Sequence, residues 1–229
     1  MSTAKPASRA LLTGAVVSWV LAAAVYLIAE AIAASAFPGY SYATNYISDL
    51  GVPEVATVDG RAIDSPLHAV MNAGFIAHGV LFAVATLLAT RAARVRHRRW
   101  IVALAVVHGV GIALVGIFSG SQEALESGLA AFHVIGAAMA IIGGNLTAIV
   151  ASRTARHGVA ALSLALGVVG IVSVVMLVVD SGTTTIDLLP DGVWERLSVY
   201  TIQAWELVAA TATLVWLRRA TEPGGLSRH

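Results

Sequence analysis

Residues 94–118 read RVRHRRWIVALAVVHGVGIALVGIF, and this stretch contains the pattern that decides the fold. Four arginines within residues 94–99 are followed at once by a run without Asp, Glu, Lys or Arg, from Trp100 to Phe118. Because an α-helix rises about 1.5 Å per residue, roughly 20 apolar residues are enough to cross the hydrocarbon core of a bilayer. The stretch therefore predicts a basic connector at a membrane surface, followed directly by a transmembrane helix.

Apolar runs of this kind account for most of the 229 residues. Charged residues make up 12% of the chain and hydrophobic residues 58%, a composition that suits a lipid bilayer better than a soluble domain. We predict an all-α, polytopic membrane bundle that forms a single transmembrane domain over residues 1–229. The predicted spans are 10–36, 67–88, 100–118, 129–151, 159–179 and 197–217. A long outer loop is expected at 37–66 and a cytoplasmic tail at 218–229.

Basic residues are distributed unevenly among the connectors. Twelve of the 14 Lys and Arg residues lie before the first span, in the second and fourth connectors or in the tail, which leaves Arg61 and Arg196 on the other side. Short loops rich in Lys and Arg stay cytoplasmic, so both termini are predicted to be cytoplasmic. Thirteen arginines against one lysine are typical of a GC-rich genome, which indicates a bacterial plasma membrane. The basic connectors favour contact with anionic lipid headgroups over nucleic acid, which we do not expect as a partner.

Several predicted spans contain ionisable or amide side chains, and an ionisable side chain costs on the order of 3 kcal/mol in hydrocarbon. At 100° per residue, one side of span six is polar from the surface to the middle of the membrane. Span two has a polar face of its own, and span four begins with His133 and continues with the small residues Gly136, Ala140 and Gly144, which favour close helix packing. We predict a polar cavity open to the outer leaflet. The residues that we expect to bind a ligand there are Asn45, Asn72, His78, His133, Glu195, Arg196, Tyr200, Gln203 and Glu206.

Two further patterns bear on function. The loop at 37–66 is rich in aromatic and small polar residues, so it can either cap the cavity or form an aromatic belt at the interface. Gly109, Gly111 and Gly116 lie inside an apolar span without a preceding strand, so they predict helix packing and not a dinucleotide site. The chain has no cysteine, which excludes disulfides and thiol chemistry.

Short motifs along the whole chain carry a resemblance. They are Tyr46-Ile47-Ser48-Asp49-Leu50-Gly51, Asn72-Ala73-Gly74-Phe75, Gly116-Ile117-Phe118, His133 and Glu195-Arg196. Together they resemble the DUF998 family of bacterial six-span membrane proteins of unknown function, although Ser119 replaces a proline common in that family. More distantly, the chain resembles the Frag1/DRAM/Sfk1 membrane family, which is linked to lipid remodelling and organisation. The resemblance singles out the outer residues Asn45, Ser48, Asp49, Asn72, His133, Glu195 and Arg196.

The preferred hypothesis is a protein that binds a membrane lipid or another amphiphile and needs no cofactor. Arg196 would pair with an anionic headgroup, and Asn72, His133 and Gln203 would form hydrogen bonds to it. The sequence leaves protein partners open.

Four alternatives remain. One is a lipid hydrolase or transferase, with Ser48 as nucleophile or with Asp49, His68 and His133 as acid, base or metal ligands. His78 and His108 could hold a haem, or Glu30 and Glu206 could relay protons in a transporter. The last is that the intramembrane polar residues form only structural hydrogen bonds between helices.

Overall fold

A computed structural model describes residues 6–58, 60–182 and 188–220, so the predicted tail lies outside the described residues from 221 onward. The described parts contain seven α-helices, one short 3-10 helix at Ser48–Gly51, and two short strands, β1 (Ala56–Val58) and β2 (Arg61–Ile63). The helices are α1 (Pro6–Ala36), α2 (His68–Ala93), α3 (Arg98–Ile117), α4 (Gln122–Ser127), α5 (Ala130–Ser152), α6 (His157–Gly182) and α7 (Asp191–Arg219).

Each of the six predicted spans coincides with one long helix, which confirms the helical class of the protein. Among the described residues, five of these helices are long and apolar enough to cross a membrane: α1 from Ser8 onward, α2, α3, α5 and α6. Helix α7 is as long as the others, with 29 residues, but it carries more polar side chains. The chain is therefore a multi-pass membrane protein by the length and composition of its helices.

The long helices pack in a ring that follows the order of the chain. Contacts run from α1 to α2, α3, α5, α6 and α7, and contacts between α7 and α1 close the ring. Because consecutive helices run in opposite directions, alternate connectors lie at the same end of the bundle. We call the end that carries residues 37–67 the loop end, and the end that carries the connectors at 94–97 and 153–156 the basic end.

Small residues allow close contact between α3 and α5. A methyl group on Gly111 of α3 would lie 2.5 Å from the backbone nitrogen of Ala140 and 2.6 Å from the carbonyl oxygen of Gly136, both on α5. Backbones that approach this closely leave no space for a side chain. The packing roles predicted for Gly111 and for the row at Gly136 and Ala140 are thus confirmed.

The loop between α1 and α2 is more ordered than an irregular connector. Strands β1 and β2 form an antiparallel hairpin whose turn includes Gly60 at a φ of +76°. Ile47, Leu50 and Ile63 are each at most 1% exposed and belong to one apolar core with side chains of α1 and α2. The loop therefore fills the loop end of the bundle with its own side chains. Neither the hairpin nor α4 was predicted from the sequence, although Asp59-Gly60 is a strong hairpin dipeptide.

Candidate functional site in two buried polar clusters

A buried arginine joins α7 to α1 and to the loop. Arg196 is 6% exposed, and its Nη2 lies 3.3 Å from Oε1 of Glu30 and donates to the hydroxyl oxygen of Tyr40. Its Nη1 donates to the carbonyl oxygens of Asn45, at 2.8 Å, and Gly192, at 3.0 Å. The hydroxyl of Tyr200 lies 2.9 Å from both carboxylate oxygens of Glu30. We call Glu30, Tyr40, Asn45, Arg196 and Tyr200 the loop-end cluster.

Aromatic rings surround the Arg196 guanidinium, whose central carbon lies 4.9 Å from the centre of the Tyr42 ring. Burial raises the pKa of Tyr40, and burial together with a hydrogen bond to Asp191 raises the pKa of Tyr46. Both phenols therefore remain protonated donors at neutral pH: Tyr40 donates to the Tyr46 carbonyl oxygen at 3.1 Å, and Tyr46 donates to Asp191 at 2.8 Å. The first bond lies within the loop, and the second attaches the loop to the start of α7.

Asp49 organises the loop from within. Its Oδ2 accepts hydrogen bonds from the Tyr46 backbone N–H at 3.0 Å and from Nδ2 of Asn45 at 3.2 Å, and it pairs with Nε of Arg61 at 3.0 Å. Glu195 accepts a hydrogen bond from the backbone N–H of Ile47. Two carboxylates thus satisfy the two backbone donors that directly precede the 3-10 helix, next to the buried side chains of Ile47 and Leu50.

The other predicted loop-end residues hold backbone carbonyls. Nδ2 of Asn72 donates to the Gly51 carbonyl oxygen at 2.9 Å. Nδ1 of His133 lies 2.8 Å from the Phe118 carbonyl oxygen, and Nδ1 of His68 lies 3.1 Å from that of Ser65. Because a carbonyl only accepts, both histidines donate from Nδ1. The structure brings Asn72, His133 and Arg196 to one end of the bundle, where each binds a different backbone segment.

The residues proposed for catalysis have separate partners. Ser48 is half-buried in the 3-10 helix, Asp49 pairs with Arg61, and His133 bonds a backbone carbonyl. Within residues 6–58, 60–182 and 188–220, no group of three or more His, Asp or Glu side chains is placed to hold a metal ion. The hydrolase or transferase hypothesis stays a prediction without a metal-ligand set in the described structure.

A second cluster lies in the middle of the bundle. His78 and Glu206 are fully buried, with Nε2 of His78 3.3 Å from Oε2 of Glu206. Gln203 lies one turn before Glu206 on α7. The ring of His108 packs edge to face on His78, with ring centres 5.1 Å apart, and its Nδ1 donates to the Ala140 carbonyl oxygen at 2.7 Å. We call His78, His108, Gln203 and Glu206 the central cluster. Direct contact between the two imidazoles leaves no room for a haem between them.

Polar atoms of the central cluster have few partners. Nδ1 of His78, Nε2 of His108, both amide atoms of Gln203 and Oε1 of Glu206 are buried without a hydrogen-bond partner among the described residues. A buried polar group without a partner costs about 1–3 kcal/mol, and folded proteins pair more than about 90% of them. Such a concentration in the middle of the bundle makes the central cluster a candidate functional site. The predicted ligand-binding set contained members of both clusters, without Glu30, Tyr40 and His108, and the structure separates these members.

An apolar pocket of about 190 Å³ opens at the basic end and was not predicted. Its lining includes Trp19, Thr86 and Trp205 at the inner part, and Val95 and Ala155 of the basic connectors at the mouth. Nε1 of Trp19 and Oγ1 of Thr86 are both buried and without a hydrogen-bond partner in the described parts of the chain. The pocket lining is mostly alanine, threonine and tryptophan, a composition that gives no distinctive sequence signal.

Both clusters and most of the pocket lining fall within a stretch that matches a known family. Residues 20–212 match the family described as a protein of unknown function (DUF998). The chain belongs to the DUF998 family. The match begins inside α1 and ends inside α7, so it covers most of the chain. The predicted resemblance to this family is confirmed. Searches of curated proteins and of solved structures found no match to this DUF998 chain. The distant resemblance to the Frag1/DRAM/Sfk1 family stays a prediction.

Proposed function

We propose that this DUF998 protein crosses the bacterial plasma membrane six times and binds an anionic lipid, or a similar amphiphile, at its basic end. The apolar pocket at that end carries the proposal, because its lining is mainly apolar and its mouth lies beside the arginine-rich connector at 94–99. Its volume is below the roughly 300–1,000 Å³ of sites for drug-sized ligands, so it suits part of an acyl chain better than a whole lipid.

The burial pattern of α7 supports the sixth crossing. Its polar side chains Arg196, Gln203 and Glu206 are buried inside the bundle, whereas Leu207 and Trp216 are 43% and 47% exposed. A helix with its polar side turned inward and its apolar side outward is compatible with lipid on the outside. The inward polar side chains lower the average hydropathy of α7 without making the helix polar toward lipid. With six crossings and the positive-inside rule, the basic end and both termini face the cytoplasm.

Positive charge at the mouth of the pocket selects an anionic headgroup. Arg96, Arg98 and Arg99 line an open cavity of about 610 Å³ together with Trp100, next to Val95 at the pocket mouth. Arg94 and His97 hold this connector in left-handed backbone conformations, with φ of 49° and 63°. Such conformations cost on the order of 1–3 kcal/mol each for residues with a side chain and concentrate at functional sites. Juxtamembrane arginines attract anionic lipids by about 1 kcal/mol each.

The predicted outer-leaflet site around Arg196 is the weaker position for the ligand. The guanidinium already contacts Glu30, the hydroxyl of Tyr40 and two backbone carbonyls. An anionic headgroup would have to displace the Glu30 carboxylate from a buried position. A free surface arginine beside an apolar pocket offers the same attraction without that displacement, which is why we place the ligand at the basic end.

Filling the pocket tests the proposal. The variant Ala209→Phe places a ring in the pocket lining, and Leu207→Phe, on the exposed side of the same helix, is the matched control. Native mass spectrometry of the protein from lipid nanodiscs should show lipid retention reduced about tenfold in Ala209→Phe, equivalent to about 1.4 kcal/mol. Leu207→Phe should retain lipid as the wild type does. Equal retention in both variants would contradict the proposal.

The headgroup preference is tested separately. Replacing Arg96, Arg98 and Arg99 with glutamine should remove the preference for anionic over zwitterionic lipid while leaving the pocket open. The measurement is competition between the two lipid classes in the same nanodiscs. If Arg196→Lys, at the loop end, abolishes the preference and the triple variant retains it, the headgroup site lies at the loop end instead.

A further inference from the structure

The central cluster is enclosed by aromatic side chains on both sides. The Tyr26 ring of α1 packs on His78 with centres 5.1 Å apart. Toward the basic end, the centre of the Phe82 ring lies 4.4 Å from that of His108 and 5.7 Å from that of Trp205. Trp205 also lines the apolar pocket at the basic end. The cluster is therefore a polar site inside an apolar shell, separate from the pocket.

Charged and titratable groups reach this site from four helices. Helix α1 contributes Tyr26 and, one turn nearer the loop end, Glu30. Helices α2 and α3 contribute His78 and His108, and α7 contributes Glu206 and, nearer the loop end, Tyr200. Helix α5 presents the Ala140 carbonyl oxygen to His108. The arginine closest in sequence to Glu206 on α7 is Arg196, which is paired with Glu30. Glu206 therefore has an imidazole, and not a guanidinium, as its side-chain partner.

A carboxylate and an imidazole in this position can share one proton. With the proton on Oε2 of Glu206, both side chains are neutral; with the proton on Nε2 of His78, they form an ion pair. The atoms are 3.3 Å apart, so a small approach lets the proton pass between them. Loss of that proton leaves a buried carboxylate without a cation, which an apolar environment strongly disfavours.

We propose that His78 and Glu206 form a proton-binding site in the middle of the membrane, which takes up and releases one proton through water held by His108 and Gln203. The partnerless atoms support this assignment: Nε2 of His108 accepts, the amide of Gln203 both donates and accepts, and Oε1 of Glu206 accepts. A water molecule in a buried site typically makes about three hydrogen bonds, and these atoms offer the partners. The ligand of the site is thus a proton with its accompanying water.

Infrared difference spectroscopy between acidic and alkaline pH tests the site in the full-length protein in nanodiscs. The wild type should show a pH-dependent carboxylic-acid C=O band that shifts in D₂O. Glu206→Gln should lose this band. Glu123→Gln removes an exposed carboxylate of α4 and is the control that should retain it. A folded Glu206→Gln variant with an unchanged band would overturn the proposal.

A second variant keeps the test independent of the folding of Glu206→Gln. His78→Gln leaves the carboxyl group in place and removes the base that shares its proton. The C=O band should persist, but the pH midpoint of its change should move by more than one pH unit. An unmoved midpoint would show that the carboxyl titrates without His78, and the shared-proton site would be wrong.

Discussion

Glu30 and Glu206 are both buried carboxylates inside a helical bundle, yet their surroundings differ in kind. Glu30 has an arginine at 3.3 Å and a tyrosine hydroxyl at 2.9 Å. Glu206 has one histidine at 3.3 Å, and its second oxygen has no hydrogen-bond partner in the described residues. A guanidinium keeps its charge at any physiological pH, whereas an imidazole does not. The partner of Glu30 therefore stays charged, whereas the partner of Glu206 is a side chain that can gain or lose a proton.

The largest expected effect comes from breaking the pair of Arg196 and Glu30. Arg196→Ala leaves the Glu30 carboxylate buried without a cation. It also removes the hydrogen-bond donor of two backbone carbonyl oxygens. Removing one member of a buried ion pair costs about 3–5 kcal/mol. Thermal unfolding in one fixed detergent, followed by tryptophan fluorescence, should show this loss. If Arg196→Ala unfolds at the same temperature as the wild type, the loop-end cluster is not structural and the contrast between the clusters fails.

Matched replacements of the two carboxylates test the contrast directly. Glu30→Gln removes the charge that Arg196 needs, so it should destabilise the protein by about 3 kcal/mol. Glu206→Gln removes a charge with no permanent partner, so the free energy of unfolding should change by less than about 1 kcal/mol. The same thermal unfolding assay measures both. Equal losses in the two variants would mean that Glu206 is as firmly paired as Glu30.

Two buried amides provide the finest comparison. Asn145 donates to the carbonyl oxygens of Ile141 at 2.9 Å and Ser198 at 2.8 Å, and it accepts from Thr201 at 2.9 Å. Both amide atoms of Gln203 lack partners among the described residues. Asn145→Leu should therefore destabilise the protein by about 1–3 kcal/mol, whereas Gln203→Leu should leave stability equal or raise it by about 1 kcal/mol.

Chemical unfolding of the two amide variants, with the wild type beside them, measures the sign of each change. A loss of stability in Gln203→Leu as large as in Asn145→Leu would show that Gln203 has a structural partner. The central cluster would then be a scaffold like the loop-end cluster, and its proposed role in binding water would fall.

Particular residues show how far the sequence could be interpreted alone. Arg196, Gln203 and Glu206 were predicted to lie on one polar side of span six, and all three are buried in the bundle. Their division into two clusters was not predictable, because it depends on whether α1 or α2 supplies the partner. Glu30 of α1 reaches Arg196, and His78 of α2 reaches Glu206. Helical periodicity places side chains on a face but carries no information on the neighbouring helix.

The long helices, the apolar class and the basic end followed from the sequence, because hydrocarbon demands long apolar runs and segregates charge into connectors. The folding of residues 37–67 into the core, the pairing of each buried carboxylate and the pocket at the basic end were decided only by the tertiary structure. These features depend on contacts between residues far apart in the chain, such as Asn45 with Arg196, and a local pattern does not specify such contacts.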